Sequence, residues 1–319
     1  MDFGICNWGA LYKFTEYDLL TEGCKVISNN NFKFNTLKIY LGKKSSKTYD
    51  IKDVDTTKLS LVEIAKLPQY TFLFSSKQFN TIIIVCHSTH RKKSNYWNTE
   101  LTDDDIKNEE DQFHELATYL RTFNKIFILQ NWESDNYKDK TDIATKNMIK
   151  WIKHRQSGID RFRKHPNNNG SYDNVFHAIE VNHIFKEDTV IHKVIPYVSI
   201  DLVSYSCYDT QKNQEAFEKA INLILGCINR NRNYCKGVPK CLNRFPVPLY
   251  IGEFGVSHKN KKYFQVMNIL YNIVTISKKY NLPYVNFWNL YNNEENEEFG
   301  LIDSSNKITS SGKFFIEYI

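Results

Sequence analysis

The stretch Val247-Pro248-Leu249-Tyr250-Ile251-Gly252-Glu253-Phe254-Gly255 decides how the rest of the chain is read. Its apolar run is short and bounded, as expected of a strand covered on both faces. It stops at a Gly-Glu pair, which places a carboxylate at the strand's C-terminal end, at a rim rather than in the core.

Other segments repeat the pattern. Strands are expected at Phe3 to Asn7, Thr36 to Gly42, Phe79 to His87, Lys125 to Gln130, Val175 to Val181, Val198 to Val203, Leu249 to Gly252 and Tyr284 to Trp288. Between most of them, apolar residues recur at helical spacing. Helices are expected at Thr15 to Ile27 with Thr15 as N-cap, at Ser60 to Lys66 with a Ser60/Glu63 capping box, and at Glu109 to Phe123. Three more are expected at Ala144 to Lys164, Gln214 to Ile228 and Tyr263 to Tyr280. Eight strands alternating with helices, with no linker dividing residues 1–319, predict an α/β fold: a single (β/α)8 TIM barrel. A doubly wound open sheet is the alternative, but no Gly-rich phosphate loop follows the first strand.

Composition narrows the function classes. The 319 residues are 41% hydrophobic and 14% aromatic, enough for a large core. The net charge of +6 is mild and scattered. Arg91-Lys92-Lys93 and Lys259-Asn260-Lys261-Lys262 read as solvated loops, so no nucleic-acid partner is expected. No segment approaches the ~20 apolar residues of a membrane span. The start lacks the basic and apolar regions of a signal peptide. The expectation is a cytoplasmic protein, or a secreted one if the chain has been trimmed. Seven cysteines with no CxxC pair suggest buried thiols, although Cys235 and Cys241 flank a Gly-Val-Pro loop and could bridge. Asn169-Gly170-Ser171 is a glycosylation sequon expected to be silent without export. The acidic run Glu294 to Glu298 reads as a solvated loop.

Polar residues gather where the strands end: His87, Asn131-Trp132-Glu133, Asn182-His183, Tyr205, Glu253 and Trp288. In a barrel these positions converge on one pocket. Two glutamates facing each other there are the equipment of glycoside hydrolysis, one as acid and one as nucleophile. Trp8, Trp132 and Trp288 offer rings on which sugar C–H faces pack. His87 has no second His at ligand spacing, so no metal and no cofactor are expected; it reads as a hydrogen-bonding pocket residue.

The chain resembles glycoside hydrolase clan A, the barrel group that includes cellulases and mannanases. The resemblance rests on Phe127-Ile128-Leu129-Gln130-Asn131-Trp132-Glu133, Asp201-Leu202-Val203-Ser204-Tyr205-Ser206, Ile251-Gly252-Glu253-Phe254-Gly255, Phe287-Trp288-Asn289-Leu290-Tyr291 and Gly300-Leu301-Ile302-Asp303. It implies a retaining hydrolase of oligo- or polysaccharides working by double displacement. Glu253 would be the nucleophile, and Glu133 the acid/base, kept protonated by the charge of Glu253. Tyr205 would hydrogen-bond the nucleophile, and Trp288 would form the sugar platform. One departure stands out. The clan places Asn directly before the acid/base, whereas Trp132 intervenes here. Either Asn182 takes over the sugar 2-hydroxyl or the chemistry is altered. The alternative function is a catalytically inactive barrel that binds a glycan.

Overall fold

The computed structural model describes residues 1–90, 98, 100–137, 139, 141–164, 174–230, 244–259 and 261–318. The Arg91-Lys92-Lys93 block, the Asn169 sequon, the Cys235–Cys241 pair and Asn260 lie outside the described residues.

Eight parallel strands close a barrel in sequence order: β1 (Asp2–Asn7), β2 (Thr36–Leu41), β3 (Thr81–Cys86), β4 (Ile126–Gln130), β5 (Val175–Val181), β6 (Leu202–Ser206), β7 (Leu249–Phe254) and β8 (Tyr284–Phe287). β1 pairs with β8, so no strand edge is left open. The expected (β/α)8 TIM barrel is therefore what the chain forms.

Strand parity sorts the side chains into two cores. Ile83, Ile128, Phe176, Ala178, Leu202, Tyr250 and Tyr284 fill the barrel, and Phe245 packs its ring against Phe176 and Tyr284. Their neighbours, including Ile82, Ile84, Phe127, Leu129, Val203 and Ile251, belong to the larger apolar layer that also takes in the helices.

Most expected elements appear, with local corrections. The first helix is Leu19–Asn29, and Asp18 rather than Thr15 caps it, accepting from the Leu20 and Thr21 N–H groups at 3.0 Å. Thr15 is diverted: both its N–H and its hydroxyl donate to the buried carboxylate of Glu22. The Ser60/Glu63 capping box is present on the helix Leu61–Ala65. The helix expected from Glu109 begins at Asp103, behind a Thr102/Asp105 capping box. Three successive aspartates look like a loop, but acidic side chains favour a helix's first turn.

The sixth strand starts at Leu202, not Val198, and runs on through Ser206. Buried Asp201 sits at its foot, taking the Arg163 guanidinium at 2.6 Å and the His177 N–H at 2.8 Å. Sequence reading missed the helices Pro68–Ser75 and Ser310–Glu317. Among the described residues, Cys6, Cys24, Cys86 and Cys207 are buried free thiols, Cys227 is buried, and no helix is long and apolar enough to cross a membrane.

Candidate active site

Glu253 is 2% exposed, so it stands inside the barrel mouth rather than at an open rim. Strict alternation would send it outward, because Tyr250 and Gly252 point in. The register explains the reversal. Tyr205 pairs with Ile251 while Ser206 pairs with Glu253, and on the other side Ile251 pairs with Val285 and Phe254 with Phe287. β7 thus carries one extra residue, a bulge that re-aims the side chain after it. The bulge needs glycine: a Cβ on Gly252 would lie 1.8 Å from Ser204 Oγ and 2.3 Å from Glu180 Oε1.

Glu253 does not stand alone. Lys38 of β2, fully buried, donates at 2.7 Å to Glu253 Oε1 and at 2.7 Å to Glu180 Oε1 of β5. Burial works against the Lys38 charge. The carboxylates of Glu180 and then Glu253 outweigh it, holding the ammonium above its ordinary value. Glu180 Oε1 also accepts from Ser204 Oγ at 2.8 Å, and its Oε2 accepts the backbone N–H of Glu133 at 3.2 Å.

Glu133 follows β4 with a φ of 20° and is 8% exposed. Ser206 Oγ donates to its Oε1 at 2.6 Å, and Asn136 Nδ2 to its Oε2 at 2.5 Å. Its carboxyl is pushed up to about 7, first by burial and then, against the Ser206 hydrogen bond, by the Glu180 charge. The expected cause, the charge of Glu253, is therefore replaced by burial and Glu180. Glu253 is also raised well above the carboxylate range: burial comes first, opposed by Lys38 and reinforced by Glu180 and Glu133. The Glu133 charge thus reaches Glu253, which sets the two glutamates in one electrostatic chamber.

Asn182 and His183 join the same network. Asn182 Nδ2 donates to Asn136 Oδ1 at 2.9 Å, and His183 Nε2 reaches the same oxygen at 3.1 Å. Asn136 thus links both residues to Glu133. Asn131 turns its amide to Ser134 Oγ and the Trp132 carbonyl. The Oδ1 atoms of Asn131 and Asn182 are buried without a hydrogen bond among the described residues.

Trp8 stands among the rings of Tyr40, Trp132 and Trp288, at centroid distances of 5.1, 5.3 and 5.8 Å. Asn289 and Asn293 fix its backbone, donating side-chain N–H groups to its carbonyl at 3.2 and 3.1 Å. His87 extends the wall by packing edge-on against Tyr40 at 5.1 Å. Burial, with Arg155 and Lys44 nearby, pushes its imidazole down to about 4, so it is neutral at neutral pH.

Tyr205 is the residue the fold places elsewhere. It lies between inward Ser204 and Ser206, so parity turns it out onto Phe217, with its hydroxyl on Asp209 and Thr210 at 2.7 Å each. No hydrogen bond joins it to Glu253. Tyr208, three residues on, is instead close enough to feel the charges of both glutamates. Burial, and then the charges of Glu253, Cys6 and Glu133, push its hydroxyl well above the ordinary value. Sequence reading thus passed over Lys38, Glu180, Asn136, Ser206 and Tyr208. The first two were visible as charges inside otherwise apolar strands. Among the described residues, no group of three or more His, Cys, Asp or Glu is arranged to hold a metal ion.

In fold, the barrel is similar to solved structures of family 5 glycoside hydrolases. A GH5_18 protein from Streptomyces cattleya, solved with Manβ1-4GlcNAc, superposes with a TM-score of 0.66 at 10% identity, covering 99% of this chain and 79% of that one. The broad-specificity GH5-4 endoglucanase from Clostridium acetobutylicum gives 0.61 at 13% identity, over 99% and 96% of the two chains. The family 5 lichenase from Caldicellulosiruptor sp. F32, solved with cellotetraose, gives 0.57 at 15%, over 99% and 92%. No family model matches the sequence, and no curated protein matches it.

Proposed function

We propose that the protein is a retaining glycoside hydrolase acting on the O-glycosidic bonds of oligo- or polysaccharides. The observation that carries this reading is the pair Glu133 and Glu253, buried in one chamber with distinct partners. Glu133, raised to about 7, is suited to hand a proton to the leaving oxygen near neutral pH. Glu253 is aimed by Lys38 at 2.7 Å, and that cation opposes the burial that raises its carboxyl, favouring the ionised form that attacks. In the first step Glu253 displaces the leaving group, which takes the Glu133 proton. In the second, Glu133 removes a proton from water, and that water releases the sugar from Glu253.

Sugar recognition fits the remaining groups. Trp8, Trp132 and Trp288 offer faces for pyranose C–H groups. The unpaired oxygens of Asn131 and Asn182 are acceptors waiting for hydroxyl donors. The fold neighbours were solved with Manβ1-4GlcNAc and cellotetraose, which favours β-linked glucosides and mannosides as first substrates to test. The test is hydrolysis across such a panel, comparing the protein with Glu253→Gln while following the anomer first released by NMR. Glu253-dependent turnover with retained configuration is expected. Full activity in Glu253→Gln, or inversion, would overturn the reading.

A second reading, a glycan-binding barrel without turnover, is favoured by one feature: Trp132 separates Asn131 from Glu133, and the Asn131 amide is spent on Ser134. Glycan binding with no hydrolysis across the whole panel would establish it.

A further inference from the structure

We propose that Glu180 is the positioning residue that joins the two candidate catalytic carboxylates, holding Glu253 through Lys38 and Glu133 through its backbone N–H. The inference rests on the glycosidase reading and adds a third carboxylate to it.

The geometry is a continuous chain of contacts across four strands. Glu253 Oε1 meets Lys38 Nζ at 2.7 Å, and Lys38 Nζ meets Glu180 Oε1 at 2.7 Å. Glu180 Oε2 then takes the Glu133 N–H at 3.2 Å. Ser204 of β6 fixes Glu180 Oε1 from the side at 2.8 Å. The Glu180 carbonyl also accepts the Ser134 hydroxyl at 2.7 Å, so the residue grips the segment after β4 twice. That grip falls where the backbone leaves its ordinary range, at Glu133 with φ 20°. Glycine at 252 leaves the space in which the Glu180 carboxylate sits. Glu180 is fully buried, so it acts through Lys38 and the Glu133 backbone rather than on a sugar.

The arrangement has an electrostatic consequence. One ammonium serves two carboxylates, with a third close by. The titratable groups acting in this chamber are Cys6 of β1, Lys38 of β2, Glu133 and Asp135 beyond β4, Glu180 of β5, Tyr208 beyond β6, and Tyr250 and Glu253 of β7. The Glu180 charge works in one direction on both candidate catalytic groups, raising each. Neutralising it leaves Lys38 to Glu253 alone and removes a like charge from beside Glu133.

The test is Glu180→Gln, read by carboxyl-carbon NMR titration of the folded protein with isotope-labelled glutamate, the Glu133 and Glu253 signals being assigned by their loss in Glu133→Gln and Glu253→Gln. Both titrations are expected to move to lower pH by roughly one unit or more. On an active substrate the pH–rate profile moves the same way. A merely structural role for Glu180 would leave both titrations in place, and that result overturns the proposal. Titration needs no turnover, so it separates failure of this inference from failure of the glycosidase reading. Should Glu180→Gln not fold, Glu180→Asp reads the same link, because it keeps the charge but shortens the reach. It is expected to lower kcat roughly 10- to 100-fold with little change in KM; wild-type kcat in that variant overturns the proposal.

Discussion

The Glu133 carboxyl, raised to about 7 from an ordinary 4.5, binds its proton more tightly in the folded chain than in the unfolded one. A raised carboxyl contributes stability that is fully present below the unfolded value and is lost as pH rises through the folded one. Between pH 4.5 and 7 the folded state therefore loses stability from this group, on the order of 3 kcal/mol. Glu133→Gln should flatten that part of a urea-unfolding series against pH; an unchanged slope would contradict the assignment. The same variant should slow turnover roughly 10²- to 10⁴-fold and remove the fall in activity above pH 7, with the loss smallest for leaving groups that need no proton. The two tyrosines separate cleanly. Tyr208→Phe should alter the pH–rate profile, whereas Tyr205→Phe, with its hydroxyl on Asp209 and Thr210, should cost only about 1 kcal/mol in unfolding experiments and leave the profile in place. Glu133, Glu253 and the tryptophans were legible because polar residues at strand ends stand out from apolar runs. Tyr205 misled because strand ends announce which residues are near the mouth, and parity decides which of them face it.

β7 shows what an element can hide. Its apolar pattern reads directly as a strand, but the extra residue that turns Glu253 inward is set by pairing with β6 and β8. Pairing is a tertiary fact, so no local pattern carries it. Gly252→Ala tests the bulge. The added Cβ meets Ser204 and Glu180, and overpacking of this kind costs ~1–3 kcal/mol in a denaturation midpoint. A stability unchanged from wild type would mean that the bulge tolerates a side chain. β2 makes the complementary point. Lys38 interrupts Thr36–Leu41, and a buried lysine in a strand signals a buried partner without naming it. Lys38→Met leaves the Glu180 and Glu253 carboxylates without their cation. Breaking a buried pair in this way costs ~3–5 kcal/mol, so the variant should unfold at markedly lower denaturant. Helix boundaries were harder to read than strands, since caps such as Asp18 depend on which neighbour, here Glu22, captures the competing side chain.

Across the whole molecule the barrel was the most legible feature. Eight apolar runs at βα spacing leave few ways to bury both faces of every strand, and closing the sheet is one that leaves no edge. The chemistry of the mouth is less constrained by the fold, because the same scaffold hosts many reactions. At 10–15% identity, the structural neighbours share an architecture with this chain, and its residues have to speak for its activity. The most direct test is to trap the glycosyl-enzyme. The protein is incubated with activated 2-deoxy-2-fluoro β-glucosides and β-mannosides, digested, and mapped by mass spectrometry. A sugar adduct is expected on the peptide that contains Glu253, and none in Glu253→Gln. Turnover of the parent glycosides with no adduct, or with the adduct on another residue, would contradict it.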